Sequence, residues 1–143
     1  MITLNETELY IKKEEGYRRL PYKCTAGKLT IGIGFNLTDT GLSEEESEAI
    51  LHMRITALRR TLSKRWPWFD KLNEARQAAM LSMAYQMGVA GLAGFKNTLA
   101  HIEAGAWEAA ATNMAASKWY RQTPNRARRT AFMVRYGKFP PEW

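Results

Sequence analysis

Apolar residues recur at helical spacing along most of the chain and alternate with polar ones over one short stretch only. Ser43 and Glu46 have capping-box spacing and open a long helix to about Ser63, on which Leu51, Ile55, Leu58 and Leu62 line one apolar stripe. That stripe predicts a core face. "WPWF" (Trp66 to Phe69) then breaks the helix and is expected to staple it to the next element by packing, with sugar stacking as the alternative use. "NEARQAAMLSMAYQM", from Asn73 to Met87, becomes apolar nearly all round, which predicts a buried central helix ended by Gly88. "GVAGLAGF" suits a tight irregular or a short helical link, and shorter helices follow near 96–104 and 106–116. Thr123 and Pro124 read as the N-cap and first residue of a last helix that runs to about Gly137.

Near the N-terminus Thr3 and Glu6 have capping-box spacing too, so a first helix is expected from about residue 4 to 14, ending near Gly16. Beyond it, "RLPYK", the turn-forming "TAG" and "KLTIGIGF" predict strands around a tight turn. Gly32 and Gly34 alternate with Ile31 and Ile33, which leaves one face nearly bare and its backbone open to close packing. The expected fold is α+β, mainly α, in one domain over 1–143. A small hairpin-bearing lobe covers about 14–42, a connecting helix about 43–63, and a helical lobe about 64–143 together with the N-terminal helix. A groove between two such lobes is where a ligand is expected.

Composition narrows the chemistry. No apolar run approaches the roughly 20 residues of a membrane span, and "MITLNETELYIKKEEG" lacks the pattern of a secretory signal. Synthesis in a cytoplasm is therefore expected. The one cysteine, Cys24, excludes an intramolecular disulfide. His52 and His101 are far apart and no Cys/His set has ligand spacing, so neither a metal nor a cofactor is expected. A formal charge of +7 predicts attraction to a polyanion. From Ala109 to Pro141 there is no acid, while Lys118, Arg121, Arg126, Arg128, Arg129, Arg135 and Lys138 all fall there. Such a run also reads as an ordinary solvated face.

A glutamate at a helix end facing a hairpin can be partly desolvated, which favours its protonated form, as a general acid requires. Glu14 and Glu15 point about 100° apart on a helix, so only one can enter a given cleft. From spacing alone "EEG" reads equally as an exposed helix terminus.

"EEGYRRLPYKCTAGKLTIGIG", "AYQMGVAGLAGFKNTL" and "WEAAATNMAASKWYRQTPNRARR" together resemble the phage-type lysozymes, the endolysin muramidases of glycoside hydrolase family 24, over nearly the whole chain. The resemblance implies a two-lobed fold whose cleft cuts the β-1,4 bond between N-acetylmuramic acid and N-acetylglucosamine in peptidoglycan. By position, Glu15 matches the general acid, and Thr30 the threonine that helps hold the attacking water. Arg126 matches the arginine paired with the catalytic glutamate, and Glu14 and Arg129 match a supporting acid and base. Gln86 and Asn125 match positions that line or support the cleft.

Two departures stand out. Cys24 occupies the position of the catalytic aspartate, and a thiol with a reference pKa of about 8.5 is mostly neutral at pH 7 and a weak acceptor. As a thiolate near Arg18, Arg19 or Lys23 it could serve, and even attack covalently. Cys24 thus reads as a natural catalytic substitution, an engineered one, or an inert residue in a weakened enzyme. Phe35 stands where relatives carry histidine, so any ion pair made there is missing. Of the two aspartates, Asp39 and Asp70, only Asp39 lies near the hairpin in sequence.

The expected function is an endolysin-type muramidase acting on bacterial peptidoglycan, with anionic envelope polymers as further partners. The rivals are a catalytically impaired peptidoglycan-binding homologue and a helical nucleic-acid binder using "TPNRARR"; no specific nucleic acid is expected. A monomer is expected, made in the host cytoplasm and acting on the wall after release, or carried on a virion.

Overall fold

The structure is a computed structural model and describes residues 2–142. Its contacts divide the chain into two units, 1–50 and 51–143, and the division falls inside the long helix.

In the first unit, helix α1 (Glu6–Glu15) is capped by Asn5 rather than Thr3. The Asn5 side chain accepts from the Glu8 N–H at 2.8 Å, and the Glu8 carboxylate accepts from the Asn5 N–H at 3.0 Å. Two overlapping patterns, Thr3 with Glu6 and Asn5 with Glu8, compete, and the second wins. Grouping by contacts puts α1 with the sheet, where the sequence suggested the helical lobe.

Strands β1 (Arg18–Lys23), β2 (Leu29–Gly32) and β3 (Phe35–Asn36) form an antiparallel sheet in that order. Tyr22 faces Thr30 and Lys23 faces Leu29; the register slips between Arg18 and Tyr22, where Pro21 has no N–H to offer the ladder. "KLTIGIGF" is therefore two strands and not one. The chain reverses between Gly32 and Gly34, whose φ values of +66° and +68° are open to glycine and unfavourable elsewhere. After β3, the Asn36 side chain accepts from the Asp39 N–H, and Asp39 pairs with Lys28 at 3.2 Å, which folds the loop back on β2.

Helix α2 (Glu44–Arg65) opens on the expected capping box, with Ser43 N–H to Glu46 at 2.8 Å and Glu46 N–H to Ser43 Oγ at 3.0 Å. Of its stripe, Leu62 is buried and Ile55 and Leu58 pack on the core, whereas Leu51 is exposed.

In the second unit, Pro67 starts a 3₁₀ turn (Pro67–Lys71) that buries Phe69 completely, with Trp66 and Trp68 packed against the core. Helix α3 (Glu74–Ala93) carries the centre of that core in Met80 and Met83. Gly88 breaks it at φ +81°, as expected, and the helix resumes over "VAGLA", the short helical form of the two expected for this link. Helices α4 (Lys96–Glu103), α5 (Trp107–Ala115) and α7 (Pro124–Tyr136) lie near their expected bounds, and α6 (Lys118–Gln122) is an additional short helix capped by Ser117. Thr123 holds the N-cap position of α7, but its hydroxyl donates to the Trp119 carbonyl at 3.1 Å and does not cap. Helix α5 packs on α7, and Ala110 and Ala111 of the first and Ala127 and Ala131 of the second are buried, which lets the backbones approach closely. Among the described residues no single helix is long and apolar enough to cross a membrane.

Arg76 ties α3 to the end of α7. Its guanidinium donates to the Val134 carbonyl at 2.8 Å and the Arg135 carbonyl at 3.3 Å, and lies 3.8 Å from the Trp107 ring centroid. Burial holds its pKa below the usual arginine range. A cation at a helix C-terminus, satisfying carbonyls that have no helical partner, stabilises that end. Arg76→Ala is expected to destabilise the protein by about 1–3 kcal/mol in denaturant unfolding. Arg76→Lys should recover only part, because it cannot bond both carbonyls while stacking.

Candidate active site

The hairpin between β1 and β2 turns on Thr25, Ala26 and Gly27. The Gly27 N–H donates to the Cys24 carbonyl at 2.8 Å, and the Cys24 N–H donates to the Lys28 carbonyl at 2.9 Å. Gly27 at φ +77° completes the three-residue turn. This wraps backbone donors around the half-buried Cys24 side chain. The Lys28 N–H, then the Ala26 N–H, hold the thiol below its ordinary range; partial burial opposes them, and the Thr30 hydroxyl and Cys24's own N–H assist.

Thr30 is only 4% exposed, and its hydroxyl donates to the Lys28 carbonyl at 3.0 Å. A hydroxyl has one proton, so Thr30 cannot bond that carbonyl and a thiolate at once. It can turn to Cys24 when the thiol ionises. The lowered thiol predicts that alkylation of Cys24 by iodoacetamide, followed by mass spectrometry against pH, has its midpoint below that of free cysteine. Thr30→Val should move the midpoint up, because one donor to the thiolate is gone.

Glu15 is the last residue of α1, and Gly16, at φ +74°, turns the chain into β1. A Cβ built on Gly34 would overlap the Glu15 carboxylate. The bare face of the glycine segment thus receives the candidate acid at Gly34 and the Phe35 ring at Gly32. Glu15 is nevertheless exposed, as is Glu14. The desolvation expected from the hairpin is not supplied, because one glycine covers only one side of the carboxylate. Asp39 is held by Lys28 and Asn36.

In the second unit, Arg126 donates through Nη2 to both the carbonyl and the hydroxyl of Ser82, each at 3.1 Å. Arg126 and Arg129 line one pocket of ≈ 490 Å³ with Ser82, Thr130 and Met133. Gln86 accepts from the Trp119 indole at 3.0 Å, and Trp119 meets Phe95 edge to face at 5.8 Å. Asn125 accepts from Arg128 at 3.3 Å. Ser82 and the contact between Gly34 and Glu15 are additions to the residues singled out from the sequence. Ser82 carries no sequence signal, since its partner lies 44 positions away.

The phage lysozyme family model matches residues 12–132. The chain belongs to the phage lysozyme family. Two probable T4-type lysozymes of Dictyostelium discoideum are each 28% identical to this phage lysozyme relative, over 89% of its length and 92% of theirs. The pre-baseplate central spike protein Gp5 of Enterobacteria phage T4 is 30% identical over 89% of the chain, which spans 27% of that longer protein. Membership supports a lysozyme-type muramidase, a glycoside hydrolase with peptidoglycan as substrate.

Proposed function

We propose that the protein is an endolysin-type muramidase that hydrolyses the β-1,4 bond between N-acetylmuramic acid and N-acetylglucosamine, with Cys24 working as a thiolate. Glu15 gives its proton to the glycosidic oxygen as the bond to the anomeric carbon breaks. Cys24, with Thr30, orients a water and takes its proton as the new C–O bond forms, which inverts the anomeric centre. Arg126 tunes Glu15, Glu14 and Arg129 act as a supporting acid and base, and Gln86 and Asn125 line or support the cleft. The observation that supports this reading is the phage lysozyme family match over residues 12–132, joined by a hairpin turn whose Lys28 and Ala26 N–H groups face Cys24 and favour the anion.

The protein is made in the host cytoplasm and acts on the wall after release. Its likeness to a spike protein favours a second role, on the virion. The basic stretch from Lys118 to Lys138 draws the protein to anionic envelope polymers.

Purified peptidoglycan incubated with the unaltered protein should release new reducing ends, and the first product should be the α-anomer by NMR. Release of the β-anomer would point instead to covalent attack by Cys24 and retention. Absence of release, with peptidoglycan still pulled down and activity appearing in Cys24→Asp, would leave a binding homologue that lacks one carboxylate.

A further inference from the structure

Several hydroxyl-bearing residues inside these helices turn back on their own backbone. Ser47, Thr56, Thr61 and Thr130 each donate to the carbonyl four residues earlier. Ser82, on α3, differs: its hydroxyl and its carbonyl both accept from Nη2 of Arg126. The other end of Arg126 is fixed as well, since its carbonyl accepts from the Thr130 hydroxyl at 2.9 Å and Thr130 is buried. With Nη2 engaged, the Nη1 hydrogens and the Nε hydrogen, which lie on opposite sides of the guanidinium, remain as separate donors for an anion.

We infer that Ser82 is a positioning residue for Arg126, fixing the rotation of its guanidinium so that Nη1 is always presented to an anion. Two acceptors on one nitrogen define a plane, and a single carbonyl would let the fork swing. Ser82 does not touch substrate, and it acts only through Arg126. The inference rests on the proposed role of Arg126 in the muramidase reaction.

The test combines kinetics with arginine side-chain ¹⁵N NMR. Ser82→Ala should lower kcat for peptidoglycan about 3- to 10-fold with little change in KM, since one of two acceptors remains. Ser82→Thr should restore the rate, because it keeps the hydroxyl. In an Arg126→Gln background, Ser82→Ala should cause less than about a 2-fold further loss. NMR should show slow rotation of the Arg126 guanidinium in the parent and fast rotation in Ser82→Ala. An Arg126→Gln variant as active as the parent would overturn the role of Arg126 and the inference with it. If Arg126→Gln is impaired while Ser82→Ala keeps both its rate and its slow rotation, the inference alone fails. Should the parent show no turnover, the NMR comparison decides by itself: unchanged rotation overturns the inference, faster rotation supports it.

Discussion

Glu15→Gln is expected to slow reducing-end release by about 10²- to 10⁴-fold while leaving the thermal unfolding curve in place. The amide matches the carboxylic acid in shape but has no proton to give a departing glycosidic oxygen. Stability should hold because the side chain is exposed at the last position of α1 and enters neither the capping box at Asn5 nor the core. Cleavage is measured as new reducing ends from purified peptidoglycan, with circular dichroism as the control on folding. A variant retaining more than about a tenth of the parent rate would remove Glu15 from the role of general acid.

Gly34→Ala should come close to the same loss by a different route. The new methyl would occupy the space of the Glu15 carboxylate, so the acid must move, and a displacement near 1 Å lowers turnover by about 10²-fold. It would also force a Cβ into a backbone with φ +68°, destabilising the fold by about 1–2 kcal/mol. Gly41→Ala separates the two effects. Gly41 has a similar φ of +63°, and a Cβ there meets nothing within 4 Å. Both variants should melt earlier than the parent, and only Gly34→Ala should lose turnover in proportion to the displaced acid. Equal activity in the two would mean that the contact with Gly34 does not set the position of Glu15.

Features governed by a few neighbouring residues were legible in the sequence. The Ser43–Glu46 box opens α2 where expected, and Thr25 to Gly27 make the expected turn. Where two local patterns overlap, as at Thr3 and Asn5, spacing could not choose between them. Helix α6 has five residues, fewer than two helical turns, and so shows no periodicity to detect. The two bends in "TIGIG" were hidden because alternating glycine and isoleucine fits a strand pattern as well as a reversal. Glu15, Cys24 and Thr30 are candidates through the family motif. What Gly34 and Ser82 do depends on residues distant in the chain, Glu15 and Arg126, and no local pattern encodes such a meeting.

The alanines buried where α5 meets α7 limit how this chain can change over generations. A methylene added at Ala110 or Ala127, both completely buried, overpacks the helix that carries it and must push its neighbours away. One of those helices also carries Arg126 and Arg129. Drift at this seam is therefore tied to the arginines on the same helix, and a lineage is freer to vary at exposed positions such as Arg121 and Lys138.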